Sequence, residues 1–205
     1  MGLSNLVEIT SFTLVSLFVA ELGATVVAGH RIVANISALA YMLPLSLAIA
    51  TMATVGQAVG GRDWPRARAA IRAGLLLAAG LSTLAGSFLW LAAEPLIAAY
   101  TNDPSVRAIA LGLIAYVAIY QFFDALQTVA GHALRAYRVT FVPMLVQTIC
   151  FWGVGLLGGA WLCYRWQPPL GVAGFWLAAV AGIVLAAAML LPLLRKAILV
   201  VESRP

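Results

Sequence analysis

Six long apolar runs, at 3–27, 35–59, 69–93, 106–133, 141–164 and 172–194, alternate with short clusters of charged and turn-forming residues. At about 1.5 Å per residue each run crosses a hydrocarbon core of roughly 30 Å, so each predicts a transmembrane helix. The clusters are Gly29-His30-Arg31, residues 60–66, Thr101-Asn102-Asp103-Pro104, residues 134–138 and residues 165–169. Glycine, proline, asparagine and charges interrupt helices there. The connections are short, so consecutive helices should be antiparallel neighbours. The first run carries Glu8 within its apolar length and no basic residue before it, which marks a span and not a signal peptide.

Composition agrees with this pattern and excludes a soluble domain: 63% of the 205 residues are apolar and 9% are charged, where soluble chains carry about 25%. The length accommodates about six spans at roughly 20 residues each and no soluble domain, so the chain is one all-α integral membrane domain, 1–205. Eleven of the twelve basic residues are Arg scattered singly between apolar runs, which fits membrane orientation and argues against a nucleic-acid partner. Arg62, Arg66, Arg68, Arg72, Arg135, Arg138, Arg195, Lys196 and Arg204 fall on one side, against Arg31, Arg107 and Arg165 on the other. The richer side is expected to be cytoplasmic, with the C-terminus there and Glu21, Glu94 and Asp103 at or near the outer surface.

Asp124 cannot be placed at either surface. It lies seventeen residues after Arg107 and eleven before Arg135, about 25 Å and about 16 Å along a helix, inside the hydrocarbon. Such a position costs on the order of 3 kcal/mol and ordinarily serves a cavity or pathway. Tyr116, Tyr120, Asp124, Gln127 and Gly131 recur at steps of four, four, three and four, so they share one helix face. Two phenols, a carboxylate and an amide suit a water-accessible route that admits an organic cation. Ser4, Glu8 and Ser11 form a weaker stripe with Asn5 beside it. Seven residues from Met1, Glu8 fits either a hydrated interface or the hydrocarbon.

Other chemistries find little support. His30 and His132 sit beside Arg31 and Arg135 at expected helix ends, where an interfacial hydrogen-bonding role is the reading, and neither is assigned a site. Gly80-Leu81-Ser82-Thr83 lacks the second glycine of an intramembrane serine nucleophile. Metal-ligand spacings and phosphate-binding loops are missing from the sequence, and Cys150 and Cys163 read as packing residues, so no enzyme is expected. Pro44, Pro192 and the glycines of 153–159 read as bending and close-packing elements.

Several collinear segments carry a family likeness: 28–37 (Ala28-Gly29-His30-Arg31 onward), Met42-Leu43-Pro44-Leu45-Ser46, Val55-Gly56-Gln57-Ala58-Val59-Gly60, Tyr100-Thr101-Asn102-Asp103-Pro104, and 118–125 followed by Leu134-Arg135-Ala136-Tyr137. From Glu8 to Lys196 the chain resembles the C-terminal half of the MATE (multidrug and toxic compound extrusion) transporters, nearest their NorM-like branch. The resemblance implies one six-helix lobe, the C-lobe, of a twelve-helix antiporter that expels cationic drug-like molecules in exchange for Na⁺ or H⁺. In that pattern Glu8 and Asp124 fall at the acidic residues of the seventh and tenth helices, both tied to cation coupling. They would be the ligands if Na⁺ binds, and no other cofactor is expected. Tyr120 matches the tyrosine one turn before the second acid, and Tyr120, Gln127, Tyr116, Gln121 and Asn5 are the residues expected to line the cavity.

The family pattern also has departures here. Thr54 stands where many relatives carry Arg, and 155–160 lacks the Pro and Tyr that often mark the eleventh helix. The N-terminal lobe is absent, so the expectation is a partner lobe or a second chain in the inner (plasma) membrane. Alternatives are a truncated, non-transporting remnant or structural membrane partner, and a lipid-linked sugar flippase of a related family.

Overall fold

The computed structural model describes residues 2–202, with side chains from residue 10 onward apart from Phe12. Its helices are α1 (Gly2–Ala20), α2 (Ala24–Gly60), α3 (Trp64–Leu91), the short α4 (Ala93–Ala98), α5 (Pro104–Ala136), α6 (Phe141–Thr148), α7 (Gly159–Tyr164) and α8 (Val172–Glu202). A ten-residue π-helical segment, Ile149–Gly158, joins α6 to α7 in one rod. Among the described residues, Ala24–Gly60, Trp64–Leu91, Pro104–Ala136, Phe141–Tyr164 and Val172–Glu202 are long and apolar enough to cross a membrane. The 19-residue α1 precedes them.

The first connection is not at Gly29-His30-Arg31, so the expected bounds of the first two spans, 3–27 and 35–59, are corrected. The chain turns after Ala20, where Gly23 takes φ +105°, a left-handed value that glycine tolerates. From Ala24, α2 runs through 29–31 without interruption for 37 residues. Gly29 serves packing rather than a turn: a Cβ there would stand 2.7 Å from Ile109 Cγ2 on α5. His30 is consequently buried, and its expected interfacial position is also corrected.

The third span begins at Trp64 rather than near 69. The Asp63 carboxylate accepts from Arg66 N at 3.1 Å and Pro65 occupies the first turn, so charged residues read as a loop belong to a capped helix. Asp103 caps α5 in the same way, accepting from Ser105 N at 2.8 Å, with Pro104 following. The last helix continues past 194 to Glu202, whose carboxylate accepts from Arg68 Nε at 2.8 Å and also from its Nη2, joining the ends of α8 and α3. Beside this pair the half-turn after α5 buries Tyr137, and that burial, reinforced by Glu202, pushes its phenol up.

At the centre stands α5, packed against α2, α3 and α8. Its two ends are held by apolar clusters. Leu113 and Val117 in its first half pack with Val33, Ile36, Leu89 and Ile97; Leu134 in its last turn packs with Ile71, Leu190 and Leu194. Outward-facing Leu76, Leu84, Phe88 and Leu91 on α3, with Leu157 and Leu199, are the exposed apolar surface that a hydrocarbon solvent accommodates. Between the two clusters α5 carries the polar residues.

Candidate functional site

Asp124 is 2% exposed, at mid-length of α5. Gln127, one turn on, donates from Nε2 to Asp124 Oδ1 at 3.0 Å and to Thr128 Oγ1 at 3.1 Å. Its Oε1 accepts from Gln147 Nε2 on α6 at 3.3 Å. Both faces of the amide are thus occupied, which fixes its orientation and aims one donor at the carboxylate. Further along α5, His132 Nδ1 lies 2.8 Å from Thr128 O, and Arg135 Nη1 donates to His132 Nε2 at 3.3 Å. A polar track therefore extends from Asp124 to the basic end of α5.

Tyr120, one turn before Asp124, is 3% exposed and meets Trp176 of α8 edge-on, with ring centroids 6.5 Å apart. Together with Ser11, Val15, His30, Phe151, Gly155, Phe175 and Ala179 these rings line a cleft where α1, α2, α5, the π segment and α8 converge. Ser11 donates to the Phe151 carbonyl at 3.2 Å, tying α1 to the π segment. The widened turn brings the backbone of that segment against α8: a Cβ on Gly182 would stand 2.7 Å from the Cys150 carbonyl oxygen.

The expected residues do not all gather here. Asp124 and Gln127 bond each other, and Tyr120 faces the adjoining cleft. Gln121 turns to α2, donating to Ser37 O at 2.7 Å and Ser37 Oγ at 3.2 Å beside Pro44. Tyr116 packs half-buried against the apolar cluster at the first half of α5 and does not line the cleft. The side chains of Glu8 and Asn5 lie outside the described residues. Gln147 and Thr128 were missed, although a lone amide inside the 141–164 run is itself a signal that hydrocarbon burial demands a partner. No cluster of three His, Cys, Asp or Glu groups occurs among the described residues.

Comparison with known proteins places this layout. The MatE family model matches residues 1–161. The chain belongs to the MatE family. It is 54% identical, over its whole length, to a probable multidrug resistance protein NorM of Aromatoleum aromaticum, covering 44% of that protein. It is 38% identical to multidrug resistance protein PmpM of Pseudomonas aeruginosa, over 93% of this chain and 40% of that one. Among solved structures, it superposes on an outward-facing multidrug resistance MATE transporter with TM-score 0.89 at 16% identity, over 98% of this chain and 45% of that one. A eukaryotic MATE transporter gives 0.83 at 17% identity, over 93% and 45%. The chain thus spans a little under half the length of the MatE relatives it matches, and its fold is that of one lobe of a multi-pass membrane protein.

Removing the Gln127 amide should loosen the carboxylate without removing it. In Gln127→Leu the melting temperature in detergent is expected to fall by several degrees, since losing a buried hydrogen bond to a charged group costs about 1.5–3 kcal/mol. An unchanged value would show that Gln127 does not hold Asp124.

Proposed function

We propose that the complete protein is a multidrug efflux antiporter that expels organic cations in exchange for Na⁺ or H⁺, with this lobe supplying the coupling site. The observation that carries the reading is Asp124, a carboxylate 2% exposed at the middle of a membrane-crossing helix and held by an oriented amide. Such a group is too costly to keep in hydrocarbon without a use, and its conjugate cation is the use. Glu8, on α1, is the second coupling acid in this reading.

Exchange follows from competition. A small cation neutralises Asp124 in one state; an organic cation approaching along Tyr120 replaces it in the other, and the two lobes rock about the site between states. Transport requires differential affinity in the two states, which a single buried charge with two alternative counter-ions provides. The basic end of α5, with Arg135 and Arg138, faces the cytoplasm in the inner membrane, as does the C-terminus. A sugar-phosphate flippase would need cations near the polar layer, and the Arg and Lys residues among the described ones lie in connections or within about two and a half turns of a helix end.

Inside-out vesicles from cells expressing the intact reading frame test this. An imposed Na⁺ or proton gradient should drive uptake of ethidium, and collapse of the same gradient should release it. Uptake indifferent to both gradients would overturn the antiport reading and favour a non-transporting remnant or a structural membrane partner.

A further inference from the structure

The cleft beside Tyr120 contains a hydrogen-bond donor that the coupling scheme does not use. Trp176 Nε1 lies 3.2 Å from His30 Nδ1. An indole N–H can only donate, so Nδ1 is the acceptor and the ring proton of His30 resides on Nε2. No other hydrogen bond reaches His30 among the described residues. The one described side-chain polar atom that is both fully enclosed and unbonded is the Tyr137 hydroxyl oxygen. His30 Nε2 therefore keeps some contact with open space, and His30 is one of the residues that line the cleft. The residue itself is 3% exposed.

Around that donor the walls are aromatic. The Trp176 ring lies against His30 with centroids 5.8 Å apart and against Tyr120 edge-on, and Phe151 and Phe175 complete the lining. The Ser11 hydroxyl is already committed to the Phe151 carbonyl. Counted out to the solvent at its mouth the cleft holds about 430 Å³ of atom-free space, of which only about 30 Å³ can seat the centre of a water molecule. So narrow a cleft suits one end of a ligand whose remainder lies outside it. Along α5, Tyr120 is one turn, about 6 Å, from Asp124.

We propose that His30 is a specificity-determining residue, oriented by Trp176, which selects aromatic cations bearing a hydrogen-bond acceptor on the ring system over those without one. The inference rests on the export reading and adds to it a recognition subsite. A ligand carrying a carbonyl or ether oxygen satisfies Nε2–H as its ring enters the cleft. A ligand lacking one displaces water from the donor and leaves it unpaired, which site-built hydrogen bonds reject strongly.

The test uses two probes, rhodamine 6G, which carries an ester carbonyl, and tetraphenylphosphonium, which carries no acceptor. Variants are made at the chromosomal locus, so that the protein is examined as the cell produces it. His30→Phe should lower rhodamine 6G export about tenfold and leave tetraphenylphosphonium within twofold. His30→Gln, which retains an N–H, should recover most of the rhodamine 6G loss. Equal loss of both compounds in both variants would assign His30 to packing and overturn the proposal, as would no loss of either.

Equilibrium binding of the same two compounds to purified protein, by anisotropy and calorimetry, reads the subsite without transport. A tenfold loss confined to rhodamine 6G supports the proposal even where gradient-driven export fails. Equal affinities in wild type and His30→Phe would overturn it even where export is intact.

Discussion

Asp124→Asn should, under the proposed antiport, abolish gradient-driven export while leaving the protein inserted and folded. The amide side chain has nearly the size of the carboxylate and keeps an oxygen for the Gln127 Nε2 donor at 3.0 Å. What disappears is the charge, and with it the proposed exchange of one counter-ion for another. Relieving an intramembrane charge that costs on the order of 3 kcal/mol should hold or raise stability. The expected result is ethidium uptake at the background of empty vesicles, with protein level and melting temperature no lower than wild type. Unchanged export would remove Asp124 from the coupling role and with it the reading of this lobe. A lower melting temperature would recast the carboxylate as a structural group.

The second large effect is on folding. Gly182→Val drives a side chain into the backbone of the π segment, because even a Cβ at this position would be 2.7 Å from the Cys150 carbonyl oxygen. Backbone cannot rotate away as a flexible side chain does, so α8 must separate from the segment that carries Phe151 and Gly155. Overpacking of this kind costs about 1–3 kcal/mol where side chains can adjust, and here the obstacle is main chain. The melting temperature in detergent should fall by several degrees and folded yield should drop. Gly80 on α3 is the control, since a Cβ there meets nothing within 4 Å; Gly80→Val should melt within about one degree of wild type. Equal behaviour of the two variants would show that α8 and the π segment are not in tight contact.

Glycine illustrates why one class of signal misled. Gly29-His30-Arg31 contains the chemistry of a turn, yet Gly29 admits Ile109 and His30 reaches Trp176, 146 positions away. Nothing in local composition separates a glycine that breaks a helix from one that lets another helix approach. The Arg-rich 60–66 cluster was misjudged for the converse reason. Asp63 and Pro65 are helix-starting residues, so Arg66 and Arg68 ride on α3. The π segment was equally hidden, because its glycines read as close packing, and the change in turn depends on how the backbone meets α8.

Asp124 and its stripe were legible because an ionisable group in an apolar run is costly wherever the run goes. Helical spacing put Tyr120, Asp124 and Gln127 on one side of α5, where Gln127 bonds Asp124 and Tyr120 lines the cleft, while Gln121 bonds Ser37 and Tyr116 packs in the apolar cluster. Rotation of α5 about its axis decides this, and neighbouring helices set that rotation.

By itself the sequence determined that the chain is a set of membrane helices with a carboxylate buried in one of them. Transfer into hydrocarbon is a property of each residue and its immediate run, so it can be summed along the chain. Only the tertiary structure decided that Gln147 steadies Gln127, that Ser11 ties α1 to Phe151, and that Trp176 donates to His30. Those hydrogen bonds join different helices, and their partners are chosen by relative depth and rotation, which no local pattern encodes.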